Sequence, residues 1–203
     1  MLGESLAPLC REKYGTVVPG DFMNVYVFLA DGFELVEAMC PIDMLRRAGA
    51  DVLTVGLNPD LKVTSAQGVA VLADVTLDAM PDRLPDMVLL PGGMPGASHL
   101  QDCAAVCDTV KAVFDKGGLV AAICAAPFIL GELGLLAGKN ATCYPGFEDR
   151  LVGAVLSDRK VVRDGNVITA AGMGVALPFA AELVAALFGR DKAEALLSAV
   201  QTA

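Results

Sequence analysis

Short apolar runs and longer amphipathic segments alternate along the chain. The short runs are rich in β-branched residues and predict buried strands at Asn24–Ala30, Asp51–Leu57, Met87–Leu90, Leu119–Ile123 and Val167–Ala170. Between them, apolar residues at helical spacing predict a helix that ends at Gly49 and further helices over Asp102–Lys116, Ala125–Leu136, Ala176–Phe188 and Lys192–Val200. This alternation predicts an α/β fold, with a doubly wound, mostly parallel sheet and helices on both faces.

Prolines and glycines indicate where helices and the folded domain are expected to begin and end. Pro41 is expected to kink the first helix or to mark a second start, because proline lacks an N–H and clashes with the preceding turn. Residues 1–22 contain prolines and glycines without clear periodicity and are expected to be a loosely ordered or peripheral extension. Residues 23–203 contain no repeat or linker, which predicts a single domain.

The composition argues against several classes of protein. The chain carries a net charge of −9 with its basic residues scattered, so the clustered positive charge of a nucleic-acid binder is missing. No apolar run reaches the roughly 18–20 residues needed to span a bilayer, and the first segment lacks the features of a signal peptide. The six cysteines have no framework spacing, which predicts reduced thiols in a cytoplasmic protein.

Cys124 is the first candidate for chemistry. It follows the predicted strand Leu119–Ile123 directly, and small residues with Pro127 then open a helix, so its side chain is expected at the carboxyl edge of the sheet, where open α/β sheets bind ligands. A helix N-terminus would favour its thiolate. The alternative is a small buried cysteine with a structural role.

Two other motifs follow strands in the same way. In GFELVEA, Glu34 and Glu37 lie in a first helical turn, where carboxylates also occur simply to complement the helix dipole. In VLLPGGMPGA, Gly92 and Gly93 could let the backbone approach a ligand and offer N–H groups to an anion, or form a plain turn.

Together, GFELVEA, PIDMLRRAG, LPGG-P-GA, AAICAAP and ATCYPGFE resemble the ThiJ/PfpI superfamily over roughly residues 23–188, most closely its branch containing the parkinsonism-associated protein deglycase. The resemblance implies a flavodoxin-like sheet, a nucleophilic and easily oxidised Cys124, and a protonated Glu37 bonded to its sulfur. It implies a pocket and oxyanion site formed by Gly92, Gly93, Ala125 and Tyr144. It also implies a homodimer and a buried Asp43 near the pocket, with a structural hydrogen bond on the helix face as the alternative for Asp43.

Departures from the family pattern limit the chemistry. Tyr144 stands where some members carry a histidine, so a protease-like Cys-His pair is not expected. The histidine present, His99, is expected to be a surface residue at a helix start. Gln67 and Ala171 stand at the positions of pocket arginines.

The remaining cysteines offer weaker alternatives. Cys143 could resolve an oxidised Cys124 or simply pack, and Cys40 is expected to pack. Cys103 and Cys107 lie four residues apart without further ligands, so no metal site is expected.

Two functions are compatible with these motifs. The first is cofactor-free, metal-free conversion of small aldehydes or other reactive carbonyls, of the glutathione-independent glyoxalase or deglycase type, with Cys124 as nucleophile and Glu37 as proton shuttle. The second is a non-catalytic, redox-responsive stress protein or holdase that senses oxidants through Cys124. The sequence favours the enzyme without excluding the sensor, and predicts neither nucleic-acid nor membrane partners.

Overall fold

A computed structural model describes residues 23–202, and the expected extension at residues 1–22 lies outside the described part. The central sheet of the described residues has seven strands in the order β10-β11-β7-β6-β1-β2-β5. All neighbouring strands run parallel except β10 and β11, which pair antiparallel. The strands of this sheet are β1 (Asn24–Leu29), β2 (Asp51–Gly56), β5 (Val75–Thr76), β6 (Met87–Leu90), β7 (Leu119–Ile123), β10 (Val161–Asp164) and β11 (Val167–Ala170).

Two short pairs of strands lie outside the central sheet. They are the antiparallel pair β3 (Lys62–Thr64) and β4 (Ala70–Leu72), and the parallel pair β8 (Asn140–Ala141) and β9 (Val155–Leu156). The α-helices are α1 (Leu35–Ala48), α2 (Gly96–Asp102), α3 (Ala104–Asp115), α4 (Pro127–Glu132), α5 (Ala176–Phe188) and α6 (Arg190–Ala199).

The central sheet is covered on both faces, as the sequence predicts. In β1, Val25 and Val27 pack in one apolar cluster with residues of α1 and α5, whereas Tyr26 and Phe28 pack in a second cluster with residues of α3 and α4. Successive side chains of a strand point to opposite faces, so a strand that is apolar at every position serves both clusters. The mostly parallel, flavodoxin-like α/β architecture is therefore confirmed.

Several helix boundaries differ from the prediction. Pro41 lies inside α1 without dividing it. The predicted helix over 102–116 corresponds to α3, which begins at Ala104 because Cys103 adopts an extended conformation between α2 and α3. The sequence missed α2 altogether because its glycine-rich start is typical of a turn. The predicted helix Ala125–Leu136 is reduced to the six residues of α4.

Among residues 23–202, no helix combines the length and the apolar character that a membrane span requires.

Candidate active site

The sheet order brings the sequence motifs together. β7, β6 and β1 are adjacent and parallel, so the segments that follow them meet at one carboxyl edge of the sheet. Cys124 follows β7, Gly92 and Gly93 follow β6, and Glu37 lies in the first turn of α1 after β1. Residues more than fifty positions apart in sequence therefore share one site.

Cys124 occupies a sharp, strained turn. Its φ of 65° lies in the left-handed region, which is uncommon for a residue other than glycine. Two backbone hydrogen bonds hold the turn: the Cys124 N–H donates to the carbonyl of Ala170 at 2.9 Å, and the Tyr144 N–H donates to the Cys124 carbonyl at 2.8 Å. The side chain is half-buried and so remains accessible from the edge of the sheet.

Glu37 is fully buried beside Cys124. Its backbone N–H donates to Oε2 of Glu34, which caps α1, at 2.7 Å. Its own Oε2 accepts the Gly92 N–H at 3.0 Å. The other carboxyl oxygen, Oε1, is buried and has no hydrogen-bond partner of good geometry among the described residues. Glu37 therefore has one anchored oxygen and one oxygen free to exchange a proton.

The lack of a side chain at Gly92 lets Glu37 and Cys124 approach each other. A Cβ atom placed on Gly92 would lie 2.5 Å from Oε2 of Glu37 and 2.6 Å from Cβ of Cys124. Contacts this short are not tolerated between non-bonded atoms. Any larger residue at position 92 would separate the thiol from the carboxyl group.

The amide groups around the sulfur differ from the prediction. The Gly92 N–H is engaged by Glu37, so the two glycine amides do not form a joint anion cradle. The backbone N–H groups that bond Cys124 are those of Ala125 and Gly93. Gly93 has a φ of 87°, in the left-handed region that favours glycine. Of the expected oxyanion residues, Gly93 and Ala125 are the two in position to donate.

Burial governs the protonation of Glu37. It raises the pKa of this carboxyl from 4.5 to about 7, and the nearby charge of Glu34 adds to the increase. Interactions with the Cys124 thiol and with the amides of Gly92 and Met173 act in the opposite direction. Glu37 therefore exchanges its proton near neutral pH, which suits a general acid and base.

The thiol does not behave as the helix N-terminus alone would predict. Burial and the neighbouring Glu37 carboxylate raise the pKa of Cys124 to about 12, and they outweigh the amide hydrogen bonds from Ala125 and Gly93.

Near neutral pH the Glu37–Cys124 pair can carry one negative charge but not two. The pair loses its first proton near pH 7, and removal of the second is opposed by repulsion between adjacent anions. When the remaining proton is on Glu37, that repulsion is absent and the carboxyl O–H can donate to the sulfur. A Cys124 thiolate therefore requires that the remaining proton move to Glu37, whereas the raised pKa of Cys124 keeps that proton mainly on sulfur.

Tyr144 lies at the exposed side of the site, with 51 % of its surface accessible. A Cβ atom placed on Gly172, which follows β11, would lie 3.3 Å from the Tyr144 ring and 3.9 Å from Oε1 of Glu37. The tyrosine ring and the free carboxyl oxygen thus flank Gly172. Gly172 and Met173 were not predicted as site residues, although their position after a strand of the same sheet could have indicated them.

The prediction for Asp43 is wrong. Its side chain is 59 % exposed and pairs with Arg47 one helical turn later at 2.7 Å, so it is neither buried nor part of the site. Position 43 falls on the outer face of α1, whereas Glu37 falls on the inner face. His99 is exposed, and its ring bonds the Asp31 carbonyl at 3.0 Å.

Three other cysteines of residues 23–202 have raised pKa values. Cys143 is buried, and burial together with the charge of Glu148 raises its pKa to about 11. Burial also raises the pKa of Cys40 and of Cys107. Among the described residues, no group of three or more histidine, cysteine or acidic side chains could hold a metal ion.

Similarity to known proteins agrees with this geometry. The model of the DJ-1/PfpI family matches residues 23–186. Protein dj-1beta of Drosophila melanogaster is 38 % identical over 173 residues, which cover 84 % of this chain and 92 % of the relative. The crystal structure of Drosophila melanogaster DJ-1beta matches with a TM-score of 0.85 and 35 % identity, over 90 % of this chain and 100 % of the other.

Two further relatives are compared for the length of their chains and for the activity in their names. The chain spans 45 % of the length of Protein DJ-1 homolog A of Arabidopsis thaliana, with 38 % identity over 178 residues that cover 86 % of this chain. Glutathione-independent glyoxalase DJR-1.2 of Caenorhabditis elegans is 34 % identical over 166 residues, which cover 81 % of this chain and 88 % of the relative. From the family match and these identities, the chain belongs to the DJ-1/PfpI family.

Proposed function

We propose that the chain is a cysteine-dependent enzyme that converts small reactive aldehydes such as methylglyoxal to hydroxyacids without glutathione. The observation that carries this proposal is the placement of Cys124 beside the fully buried Glu37, whose pKa is raised to about 7. A relative named as a glutathione-independent glyoxalase supports the choice of substrate class. A single domain over residues 23–203, acting in the cytoplasm, would be sufficient for this activity.

The first chemical step joins the sulfur to the substrate. The Cys124 sulfur forms a bond to the aldehyde carbon, and the carbonyl oxygen takes up a proton to give a hemithioacetal. The N–H groups of Gly93 and Ala125 bond Cys124. We expect them to stabilise the negative charge that develops on the adjacent oxygen of the substrate.

The second step moves a proton between neighbouring carbons. Oε1 of Glu37 removes the hydrogen from the former aldehyde carbon and delivers a proton to the adjacent carbonyl carbon. Through the enediol formed between these two transfers, the hydroxyl proton on the first carbon passes to the oxygen of the second. The first carbon is thereby oxidised to a thioester and the second is reduced to an alcohol, so no external oxidant is needed. Water then hydrolyses the thioester, which releases the hydroxyacid and restores the thiol. No step requires a metal or an organic cofactor.

The direct test is product identification. The purified full chain, incubated with methylglyoxal in the absence of glutathione, should form lactate in proportion to the aldehyde consumed. Nuclear magnetic resonance distinguishes lactate from the simple thiol adduct. Stoichiometric consumption without lactate would contradict catalysis of this reaction.

A second candidate function is oxidant sensing, and the same amides favour it. A sulfinate at Cys124 would carry oxygens that the N–H groups of Gly93 and Ala125 can bond, together with a protonated Glu37. We expect limiting peroxide to add two oxygen atoms to Cys124 before any oxygen is added to Cys143, as measured by peptide mass spectrometry. Earlier oxidation of Cys143 would exclude Cys124 as the sensor.

We also propose that the chain is a homodimer through the outer face of α1. Val36 is 42 % exposed there, and Leu35 and Met39 are only partly buried, whereas Leu45 belongs to the core. Light scattering should give twice the chain mass of 21.0 kDa. Val36→Glu should shift the mass to the monomer, and Val155→Glu, at a similarly exposed position in β9, should not. A monomer at all micromolar concentrations would refute the dimer.

A further inference from the structure

A cluster of arginines lies at the edge of the central sheet, away from Cys124. A cavity of about 660 Å³ is lined by Arg159, Val161 and Arg163 at β10, Pro178 and Glu182 of α5, and Arg190 of α6. A second cavity of about 350 Å³ shares Arg159 and Arg163. Three arginines and one glutamate give the larger cavity an excess of positive charge, on a chain whose net charge is −9.

The single glutamate does not account for the three arginines. Glu182 lies 3.7 Å from Arg163 and 3.3 Å from Arg190, distances at which the charges attract without short hydrogen bonds. Arg159 is exposed, and its guanidinium group forms no hydrogen bond or ion pair within residues 23–202. Because each guanidinium group carries five N–H donors, most of the donor capacity at this cavity is unused.

The geometry favours an anion with oxygens pointing in several directions. The arginines come from three places in the fold: the segment before β10, β10 itself and the start of α6. A single planar carboxylate is matched by one guanidinium fork, whereas linked phosphate groups present acceptors to several forks at once. Glu182, only 15 % exposed, attracts Arg163 and Arg190 loosely and leaves the net charge of the cavity positive.

We propose that this cavity binds a small multivalent phosphate anion through Arg159, Arg163 and Arg190. The site is independent of the carbonyl chemistry proposed above. The attraction acts between partly exposed groups, so it weakens as salt is added.

The test is calorimetric titration of the full chain with inorganic pyrophosphate at low ionic strength. We expect saturable binding that Arg159→Gln and Arg163→Gln each weaken about three- to tenfold. Glu182→Gln removes the competing negative charge and should strengthen binding by a similar factor. The control is Arg83→Gln, since Arg83 is an exposed arginine that lies 3.6 Å from Asp51 in a comparably loose ion pair. It should leave affinity unchanged.

Three results would overturn the proposal. They are the absence of saturable pyrophosphate binding, an equal loss of affinity in Arg83→Gln and Arg159→Gln, and tighter binding of citrate than of pyrophosphate. Thermal unfolding without ligand is measured for every variant. Because the Arg159 side chain has no partner among the described residues, Arg159→Gln should unfold at the same temperature as the wild type. If Glu182→Gln proves unstable, the pyrophosphate affinity of Arg159→Gln is sufficient to test the proposal.

Discussion

Glu37→Gln should lower lactate formation from methylglyoxal by about 10²- to 10⁴-fold, the range that a positioned acid–base group contributes. Oε1 of Glu37 is buried, lacks a hydrogen-bond partner of good geometry among the described residues and lies on the Tyr144 side of the site. A glutamine keeps the shape and can still bond the sulfur, but it cannot exchange a proton. The measurement is the steady-state rate with lactate as the identified product.

The same variant should change the pH dependence of Cys124 alkylation. In the wild type, the rate should rise with pH through a midpoint near 7, where the Glu37–Cys124 pair loses its first proton. The raised pKa of Glu37 means that the pair holds both protons below this midpoint and carries one negative charge above it. In Glu37→Gln, the midpoint should move to or above the ordinary thiol value of about 8.5.

Thiolate absorbance measured on the same samples locates the remaining proton. Because the pKa of Cys124 is raised to about 12, we expect the remaining proton to lie mainly on sulfur at the alkylation midpoint and absorbance to appear only in alkaline solution. Glu37→Leu, which can neither donate nor exchange a proton, should lose both the low alkylation midpoint and turnover. A full rise in wild-type absorbance near pH 7 would instead place that proton on Glu37, and undiminished turnover in Glu37→Gln would dismiss Glu37 as the shuttle.

Cys124→Ser should reduce turnover by at least about 10⁴-fold, because the serine hydroxyl is a far weaker nucleophile than a thiol at neutral pH. The fold should be preserved, since the turn is held by backbone bonds to Ala170 and from Tyr144 that do not involve the sulfur. The measurement is lactate formation beside a thermal unfolding curve.

Cys143→Ser is the matched control for this prediction. Cys143 is buried immediately before Tyr144, and its raised pKa keeps it a thiol, so its replacement should leave turnover within a few-fold of the wild type. Equal losses in the two variants would indicate a role for Cys143 in catalysis. Absence of lactate in the wild type, with Cys124 still preferentially oxidised by peroxide, would favour the sensor function.

Much of the architecture is determined by local sequence. The continuous apolar runs at β1, β6 and β7 can be satisfied only by burial on both faces, so a covered, mostly parallel sheet follows from the pattern itself. Cys124 could be predicted for the same reason, because a buried strand that runs directly into a cysteine and then a proline leaves that side chain at the sheet edge.

The tertiary structure decided what depends on distant neighbours. No local pattern shows that Asp43 points outward, that Gly92 donates to Glu37 rather than to a ligand, or that Gly172 lies between Tyr144 and Oε1 of Glu37. The direction of the Cys124 pKa shift also depended on tertiary structure, because burial and the charge of Glu37 arise from packing between segments far apart in the chain. Short-range patterns determine strands and turns, whereas desolvation and charge coupling are properties of the assembled sheet edge.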